Sequence, residues 1–566
     1  MKSSNERAAH DKNASKRDPW HRRLMRTWLY GAPANRNRVA KGRVGVVILF
    51  ASTFFIVIGA RLVMFGFTVD PHGTRRVASN EATATSRPDI VDRNGQILAT
   101  DIKAASLFAE PRRLIDKDEA VELLTATLPE LDAADVRERL VTRRGFAWLK
   151  REITAQQQED IHRLGLPGIG FLRENRRVYP NGAEVSHVIG LVNVDNQGIA
   201  GIEKWLDSNG LADLHRAGFA NDRQQKPLEL AMDLRVQHAL RDELLKAQDK
   251  YKAKAAAGLV SDVRTGEIVA MVSVPDFDPN NPKEANDPTR INRLTTGVFE
   301  MGSTFKALTL AMALDSGRAN LNTLYDARGS LRYGRFNIRD THPLGRSITL
   351  SEVFTFSSNI GAARVALSMG VEAHKSFLRK MGQLDRLRTE LPESAEPIVP
   401  RRWGELNTVT IAFGHGLSVA PLQAVMGINA LMNGGYLVPP TFFKRSQDEA
   451  SKLAKRVVSA DTSEKMRYLM RANAERGTAK LADVKGYYVG GKTGTSEKVV
   501  NGRYSRKQVL NSFTAVLPSD NPRYQVLIML DEPQGLPETH GFITSGWNAV
   551  PTGGKVIARI APLLGI

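Results

Sequence analysis

Val44–Ala60 contains no charged residue, and beyond Arg61 the run Leu62–Val69 adds eight more uncharged positions. At ~1.5 Å per residue the first run alone makes ~26 Å of helix, and its continuation past Arg61 spans the ~30 Å apolar core of a bilayer. Arg61 then sits near an interface, where its stem can snorkel. No other stretch of comparable length occurs, so the pattern predicts a single membrane span over residues 44–69. Residues 1–43 hold twelve Lys/Arg against Glu6, Asp11 and Asp18. That asymmetry predicts a cytoplasmic basic tail and export of everything after Asp70. Lys41 and Arg43 stand where anionic headgroups would be met. A cleaved signal peptide fits less well, because a 43-residue charged leader is too long and Ile58-Gly59-Ala60 is a poor cleavage site.

The same tail carries nearly half of the formal net charge of +19, so the remainder of the 566-residue chain is only mildly basic. A surface built to coat nucleic acid is therefore disfavoured. With 42% apolar and 25% charged residues the exported part reads as globular and long enough for more than one domain. The chain has no cysteine, which excludes disulfides, thiolate metal sites and a cysteine nucleophile.

The exported part divides at about residue 225. Residues 70–225 open with the polar stretch Thr83-Ala84-Thr85-Ser86-Arg87-Pro88, followed by Asp92-Arg93-Asn94-Gly95 between apolar runs, a hairpin signal. Helical spacing follows over Glu119–Leu128 and Ala133–Val141. This mixed α/β segment shows no catalytic grouping; its charged residues Asp92, Arg93, Arg177 and Glu203 suit internal bridges around turns. From residue 226 the pattern changes. Asp233 caps a helix, Gly258–Val263 and Glu267–Val272 pinch around Arg264-Thr265-Gly266 as a hairpin, and helical patterns fill 303–380 and 415–435. Strand candidates Tyr487–Thr495, Ser512–Leu517 and Gln525–Leu530 and a helix at Lys555–Leu564 end the chain. Strands at both ends with helices between predict an α+β domain whose sheet collects both termini.

Three short motifs fall in this second domain. In Ser303-Thr304-Phe305-Lys306, residues i and i+3 share a helix face, so the Lys306 amine can reach the Ser303 hydroxyl at a helix start. A serine needs such a base to act as a nucleophile, and a lysine near other cations can have the depressed pKa this requires. Ser357-Ser358-Asn359 lies in a break between a helix opened by the capping box Thr349-Leu350-Ser351-Glu352 and one through Gly361–Leu367. Lys492-Thr493-Gly494-Thr495 lies on an edge-strand candidate, where a cation and two hydroxyls suit a carboxylate and Gly494 admits a close backbone. Each motif alone is weak: a capped helix with a surface lysine, a polar turn, or a phosphate-binding turn without its P-loop. Together, 54 and 135 residues apart and downstream of a membrane span, they form the S-x-x-K, S-x-N, K-T-G signature.

Through these motifs the chain resembles the class B penicillin-binding proteins, most closely their septal peptidoglycan transpeptidases. The resemblance covers about residues 44–566. It extends to Asp92-Arg93-Asn94-Gly95, Arg177-Val178-Tyr179-Pro180 and Gly201-Ile202-Glu203, and to Gly414–Gln423 and Glu475-Arg476-Gly477-Thr478-Ala479. Pro88 stands where the family usually has Gly, and Met301 where it usually has Pro.

The resemblance implies a cytoplasmic tail (1–43), a transmembrane helix (44–69), a non-catalytic pedestal or dimerisation domain (70–225) and a transpeptidase domain (226–566) with an antiparallel sheet and helices. It implies a serine acyl-enzyme D,D-transpeptidase of septal cell-wall synthesis that cross-links D-Ala-D-Ala stem peptides and is a target of β-lactams. Ser303 is then the nucleophile, Lys306 the base, Ser357 a proton relay, Asn359 a clamp and Lys492 an electrostatic tuner. Thr493, Gly494 and Thr495 form the substrate site. No metal or cofactor is implied, and His187, His238 and His415 are too scattered in sequence for a zinc site. The implied partners are the bacterial inner membrane, an FtsW-type glycosyltransferase and other divisome proteins, with no nucleic acid. The competing readings are an elongation-type enzyme and a catalytically idle divisome scaffold.

Overall fold

The computed structural model describes residues 36–67, 86–141, 145–211, 226–333 and 336–566. Most of the basic tail, residues 68–85 of the expected span and linker, and residues 212–225 lie outside the described residues. The chain forms two compact units, Met1–Glu81 and Ala82–Ile566. In the first, α1 (Arg36–Phe67) is one continuous helix. Its segment Val44–Arg61 is long and apolar enough to cross a membrane, and Phe50, Phe54 and Phe55 are exposed on it.

In the second unit β1 (Ile90–Val91) turns into β2 (Ile97–Ala109) at the expected Asn94-Gly95, where Gly95 takes φ +81°. The turn needs that left-handed conformation, which glycine adopts at no steric cost. Helices α2 (Lys117–Thr127) and α3 (Ala133–Val141) match the helical spacing read from sequence, with the Asp116 side chain capping the first. Two antiparallel strands, β3 (Ala147–Ile153) and β4 (Ile169–Val178), flank β2. Leu107, Ala120, Leu124, Val136 and Leu140 close a separate small core between these strands and helices.

A buried ionic network ties this layer together. Glu203 accepts from Arg177 Nε at 2.6 Å and from Arg87 Nε at 2.8 Å, and its side chain is fully buried. Arg177 also meets Asp101 at 3.1 Å and the Pro88 carbonyl at 2.9 Å, and Arg87 meets Asp207 at 2.6 Å. Arg177 and Glu203 are thus internal bridges, and Pro88 fits because only its carbonyl is used. Asp92 accepts from the backbone of Asn94, Gln96 and Leu234, and Arg93 pairs with Glu267 at 3.3 Å. The short strand β5 (Leu228–Glu229) pairs in parallel with β1, so the chain returns to this first sheet before the large domain begins.

The large domain starts with α4 (Leu234–Lys250), capped by Asp233, and the hairpin β6 (Ala255–Asp262) to β7 (Ile268–Val274). Next come α5 (Lys306–Asp315), α6 (Leu350–Thr355), α7 (Asn359–Met369), α8 (Pro421–Met432) and α9 (Ala460–Arg476). Strands β8 (Gly490–Val500), β9 (Arg503–Leu517) and β10 (Tyr524–Asp531) and helix α10 (Ala549–Leu563) complete it. The five strands form one antiparallel sheet, ordered β8-β9-β10-β6-β7, with both halves of the domain contributing. Side chains alternate across it: Leu527 and Met529 face one core with α5, α7 and α8, whereas Val526, Ile528 and Leu530 face α4 and α10.

Two details differ from the sequence reading. The helical pattern over 303–380 is interrupted, because residues 324–349 form two small β-ribbons and connecting loops. The hairpin β8–β9 is longer than expected and turns at Asn501-Gly502, both at positive φ. Its outer half is charged and exposed, so hydrophobic alternation does not mark it.

Removing one carboxylate from the ionic network leaves buried guanidinium groups short of a counter-charge, a loss worth about 3 kcal/mol. Glu203→Gln is expected to lower the urea midpoint of the protein accordingly. A change equivalent to less than about 1 kcal/mol would mean that hydrogen bonding alone sustains the site.

Candidate active site

Ser303 lies in a tight turn, Gly302–Phe305, that runs directly into α5 at Lys306. It is therefore one turn ahead of the α-helix proper rather than its capping residue. Gly302 takes φ +54°, and a Cβ there would lie 2.6 Å from Ser496 Oγ and 2.7 Å from the Thr495 carbonyl. The turn is thus pressed against β8, and Met301 is buried beneath it.

The Lys306 amine is fully buried and surrounded by oxygen. It lies 2.9 Å from Ser303 Oγ, 3.0 Å from Ser357 Oγ, 2.5 Å from the Ser357 carbonyl and 2.8 Å from Asn359 Oδ1. Burial, and then the charge of Lys492, push this amine well below the usual lysine range, while Asp340 pulls it upward. Ser357 occupies the break between α6 and α7 at φ +59°, a conformation that side-chain-bearing residues adopt only under constraint. There its hydroxyl stands between two amines, Lys306 and Lys492, each at 3.0 Å.

Lys492 is equally buried, and burial pushes its amine down to about 7. It donates to the Thr493 carbonyl at 3.1 Å and lies 5.6 Å from the centre of the Phe354 ring. Thr493 Oγ1 is 2.8 Å from Thr478 Oγ1, and Thr478 in turn bonds Asn473 Oδ1 at 3.2 Å. Thr495, half-buried, accepts the Ser545 N–H at 3.1 Å, which leaves its own hydroxyl proton available. Gly494 has no room for a side chain: a Cβ would meet Ser512 Oγ at 2.2 Å and Thr304 Oγ1 at 2.6 Å. The three motifs, distant in sequence, thus meet on the edge strand of the sheet.

Sequence reasoning missed Asp340, which bonds the whole Ser358–Ile360 segment, and Asn473 with Thr478 behind Thr493. It also missed Glu300, which accepts from Gly416 N at 2.7 Å and from the Tyr504 hydroxyl at 3.1 Å. Thr478 falls within the Glu475–Ala479 segment; Asp340 is a lone acid in an irregular loop and gives no local signal. The histidines lie apart. His187 bonds the Arg290 carbonyl, His238 meets Glu184, and His415 is packed between Phe413 and Tyr504 with its pKa lowered to about 4 by burial and the Lys306 charge.

Residues 256–545 match the penicillin binding protein transpeptidase domain, and residues 82–209 match the penicillin-binding protein dimerisation domain. The chain is 40% identical over 490 residues to the probable peptidoglycan D,D-transpeptidase FtsI of Caulobacter vibrioides, covering 85% of this chain and 82% of that one. The chain belongs to the class B penicillin-binding proteins. A second relative, the probable peptidoglycan D,D-transpeptidase PenA of Neisseria gonorrhoeae, is 30% identical, covering 93% of this chain and 94% of its own. Among solved structures, penicillin binding protein 3 of Mycobacterium tuberculosis in complex with aztreonam shares the fold, with a TM-score of 0.65. That match is at 23% identity over 86% of this chain and 97% of that one. As a class B protein the chain is an enzyme of the serine transpeptidase type.

The depressed Lys492 has a consequence for stability. Its folded value of about 7 lies below the ordinary 10.5, so between these values the unfolded chain binds more protons. This lysine therefore makes the fold more stable as pH rises through that window. Lys492→Met removes the effect, so wild-type stability is expected to climb relative to the variant between about pH 7 and 9 in urea unfolding. Parallel curves would mean that Lys492 remains an ordinary ammonium in the fold.

Proposed function

We propose that this class B protein cross-links peptidoglycan by D,D-transpeptidation through Ser303, and that it does so in septal wall synthesis during cell division. The observation that carries the mechanism is the environment of the Lys306 amine. A neutral amine has two N–H donors and one lone pair. The Ser357 carbonyl and Asn359 Oδ1 are acceptors only, so they take both N–H groups. The lone pair is left for a hydroxyl, and Ser303 Oγ is 2.9 Å away. Lys306 is then the base, and its depressed pKa supports that assignment.

Ser303 Oγ attacks the carbonyl carbon between the last two D-alanines of a stem peptide, and its proton passes to Lys306. The C–N bond breaks, the leaving D-Ala amine takes a proton from the Lys306–Ser357–Lys492 chain, and an ester remains on Ser303. An amine of a neighbouring stem peptide attacks that ester, and its proton returns through Lys306 to Ser303 Oγ. The N–H groups of Ser303 and Thr495 serve as the oxyanion hole, where each such donor is worth ~3–4 kcal/mol. Thr495 and Thr493 recognise the terminal carboxylate, Thr495 with its free hydroxyl proton. β-Lactams carry the same carboxylate and acylate the same serine.

We assign residues 1–43 to a cytoplasmic tail, 44–69 to the membrane helix, 70–225 to the pedestal and 226–566 to the periplasmic catalytic domain. The basic residues before the apolar run support that orientation. The similarity to the Caulobacter FtsI protein supports the septal role. An FtsW-type glycosyltransferase and other divisome proteins are the proposed partners. Depleting the protein is expected to give filaments without septa, whereas loss of rod shape would assign it to elongation.

Full-length protein treated with penicillin is expected to gain one covalent adduct at Ser303, read by mass spectrometry, and Ser303→Ala to gain none. Labelling of the variant would remove the nucleophile assignment. Thr495→Val should slow acylation by a carboxylate-bearing β-lactam roughly 10- to 100-fold, because a hydrogen bond to a charged group is worth ~1.5–3 kcal/mol. Thr495→Ser should restore it, and a thioester lacking the carboxylate should lose much less. Equal losses for both substrates would mean that Thr495 acts only by holding Ser545.

A further inference from the structure

We propose that Asp340 is a positioning residue of the reaction: its carboxylate anchors the Ser357–Asn359 break and thereby holds Asn359 and Ser357 against the Lys306 amine. The inference rests on the reading of Lys306 as the base. Asp340 follows the second β-ribbon, 331–338, in a loop whose other side chains from Arg339 to His342 are exposed. Its Oδ1 accepts the backbone N–H of Asn359 at 2.6 Å and of Ile360 at 3.0 Å. Its Oδ2 accepts the Ser358 hydroxyl at 2.7 Å. Ser358 Oγ itself accepts the Gly361 N–H at 2.9 Å, capping α7. One carboxylate therefore fixes the start of the helix that carries the clamp, at the end where a negative charge is favoured.

The same loop decides which way the Asn359 amide faces. Asn359 Nδ2 donates to the Arg339 carbonyl at 3.1 Å, so Oδ1 is left to face Lys306 Nζ at 2.8 Å. A reversed amide would oppose an N–H to the lysine and lose the bond to Arg339. Ser357 precedes this anchored segment at φ +59°, a conformation of order 1–3 kcal/mol above the relaxed one that persists only when its flanks are fixed. Asp340 fixes the following flank. It reaches the reaction through Ser357 and Asn359, and its hydrogen bonds go to Ser358, Asn359 and Ile360 rather than to Ser303.

Charge gives Asp340 a second effect. The charged and titratable groups facing Lys306 are Lys492 from β8, His415 from the loop after Phe413, and Asp340. Lys492 and burial depress the amine; Asp340 opposes them. A base driven too low would accept the serine proton poorly, and the carboxylate acts against that fall.

Two substitutions in the full-length protein separate the effects. Asp340→Asn keeps an acceptor for the two N–H groups and removes the charge; Asp340→Ala removes both. Acylation rate constants with a fluorescent penicillin would be measured from pH 5 to 9, with melting curves for each variant. Asp340→Asn is expected to keep the plateau within about threefold and to move the acid limb about one unit toward lower pH, the least that an adjacent opposite charge contributes. Asp340→Ala is expected to fall at least tenfold at every pH. An acid limb in Asp340→Asn that coincides with wild type would overturn the proposal even if Asp340→Ala does not fold. So would a folded Asp340→Ala that acylates within twofold of wild type. A wild-type profile with no acid limb would show instead that the Lys306 reading is wrong, and the proposal would fall with it.

Discussion

Two lysine amines are buried on either side of one serine hydroxyl, each 3.0 Å from Ser357 Oγ, and the large domain is arranged to sustain that. Removing an ammonium from water is costly, and placing a second beside it more so. The cost falls when the amines give up protons, which is the direction that burial imposes on both and that the charge of Lys492 adds to at Lys306. The same terms that disfavour the folded ammonium forms favour the base that we propose beside Ser303. Site chemistry and local instability are here one effect.

Three elements must meet for this arrangement. The turn Gly302–Phe305 presents Ser303, the break before α7 presents Ser357 and Asn359, and the edge strand β8 presents Lys492. Close approach is met by glycine at the contacts: Gly302 and Gly494 leave no room for a methyl group between the turn and the strand. Behind them α5, α7 and α8 are packed into the main core, so the presenting segments stand on rigid helices. The buried Arg87–Glu203–Arg177 network is flanked by Tyr179 and Ile202, which share the main apolar core with the large domain, and β1, β5 and Asp92 add backbone links between the two.

Much of this was legible because it is encoded locally. The i, i+3 spacing of Ser303 and Lys306, the capping box at Thr349 and Glu352, and the hairpin around Arg264-Thr265-Gly266 each depend on neighbours in sequence. The meeting of the three motifs was legible only by resemblance, since no spacing rule brings residue 303 to residue 492. What escaped notice depends on tertiary contact. Asp340 is an isolated acid whose three partners lie some twenty residues away, and Arg87 reads as part of a polar stretch until Glu203 is placed beside it. The ribbons within 324–349 were read as helix because short strands leave little periodicity. Asn501-Gly502 did carry a hairpin signal, but its flanks are charged and exposed and drew no strand assignment.

The protonation state of Lys306 is where fold and chemistry converge. Full-length protein carrying lysine labelled at Cε and Nζ would report it by NMR, with the Lys306 resonance assigned by its loss in Lys306→Ala. A neutral-amine signal already present near pH 7.5 is expected, with its titration midpoint well below that of the exposed lysines. A Lys306 signal that stays an ammonium up to pH 9 would contradict a lysine base at this serine.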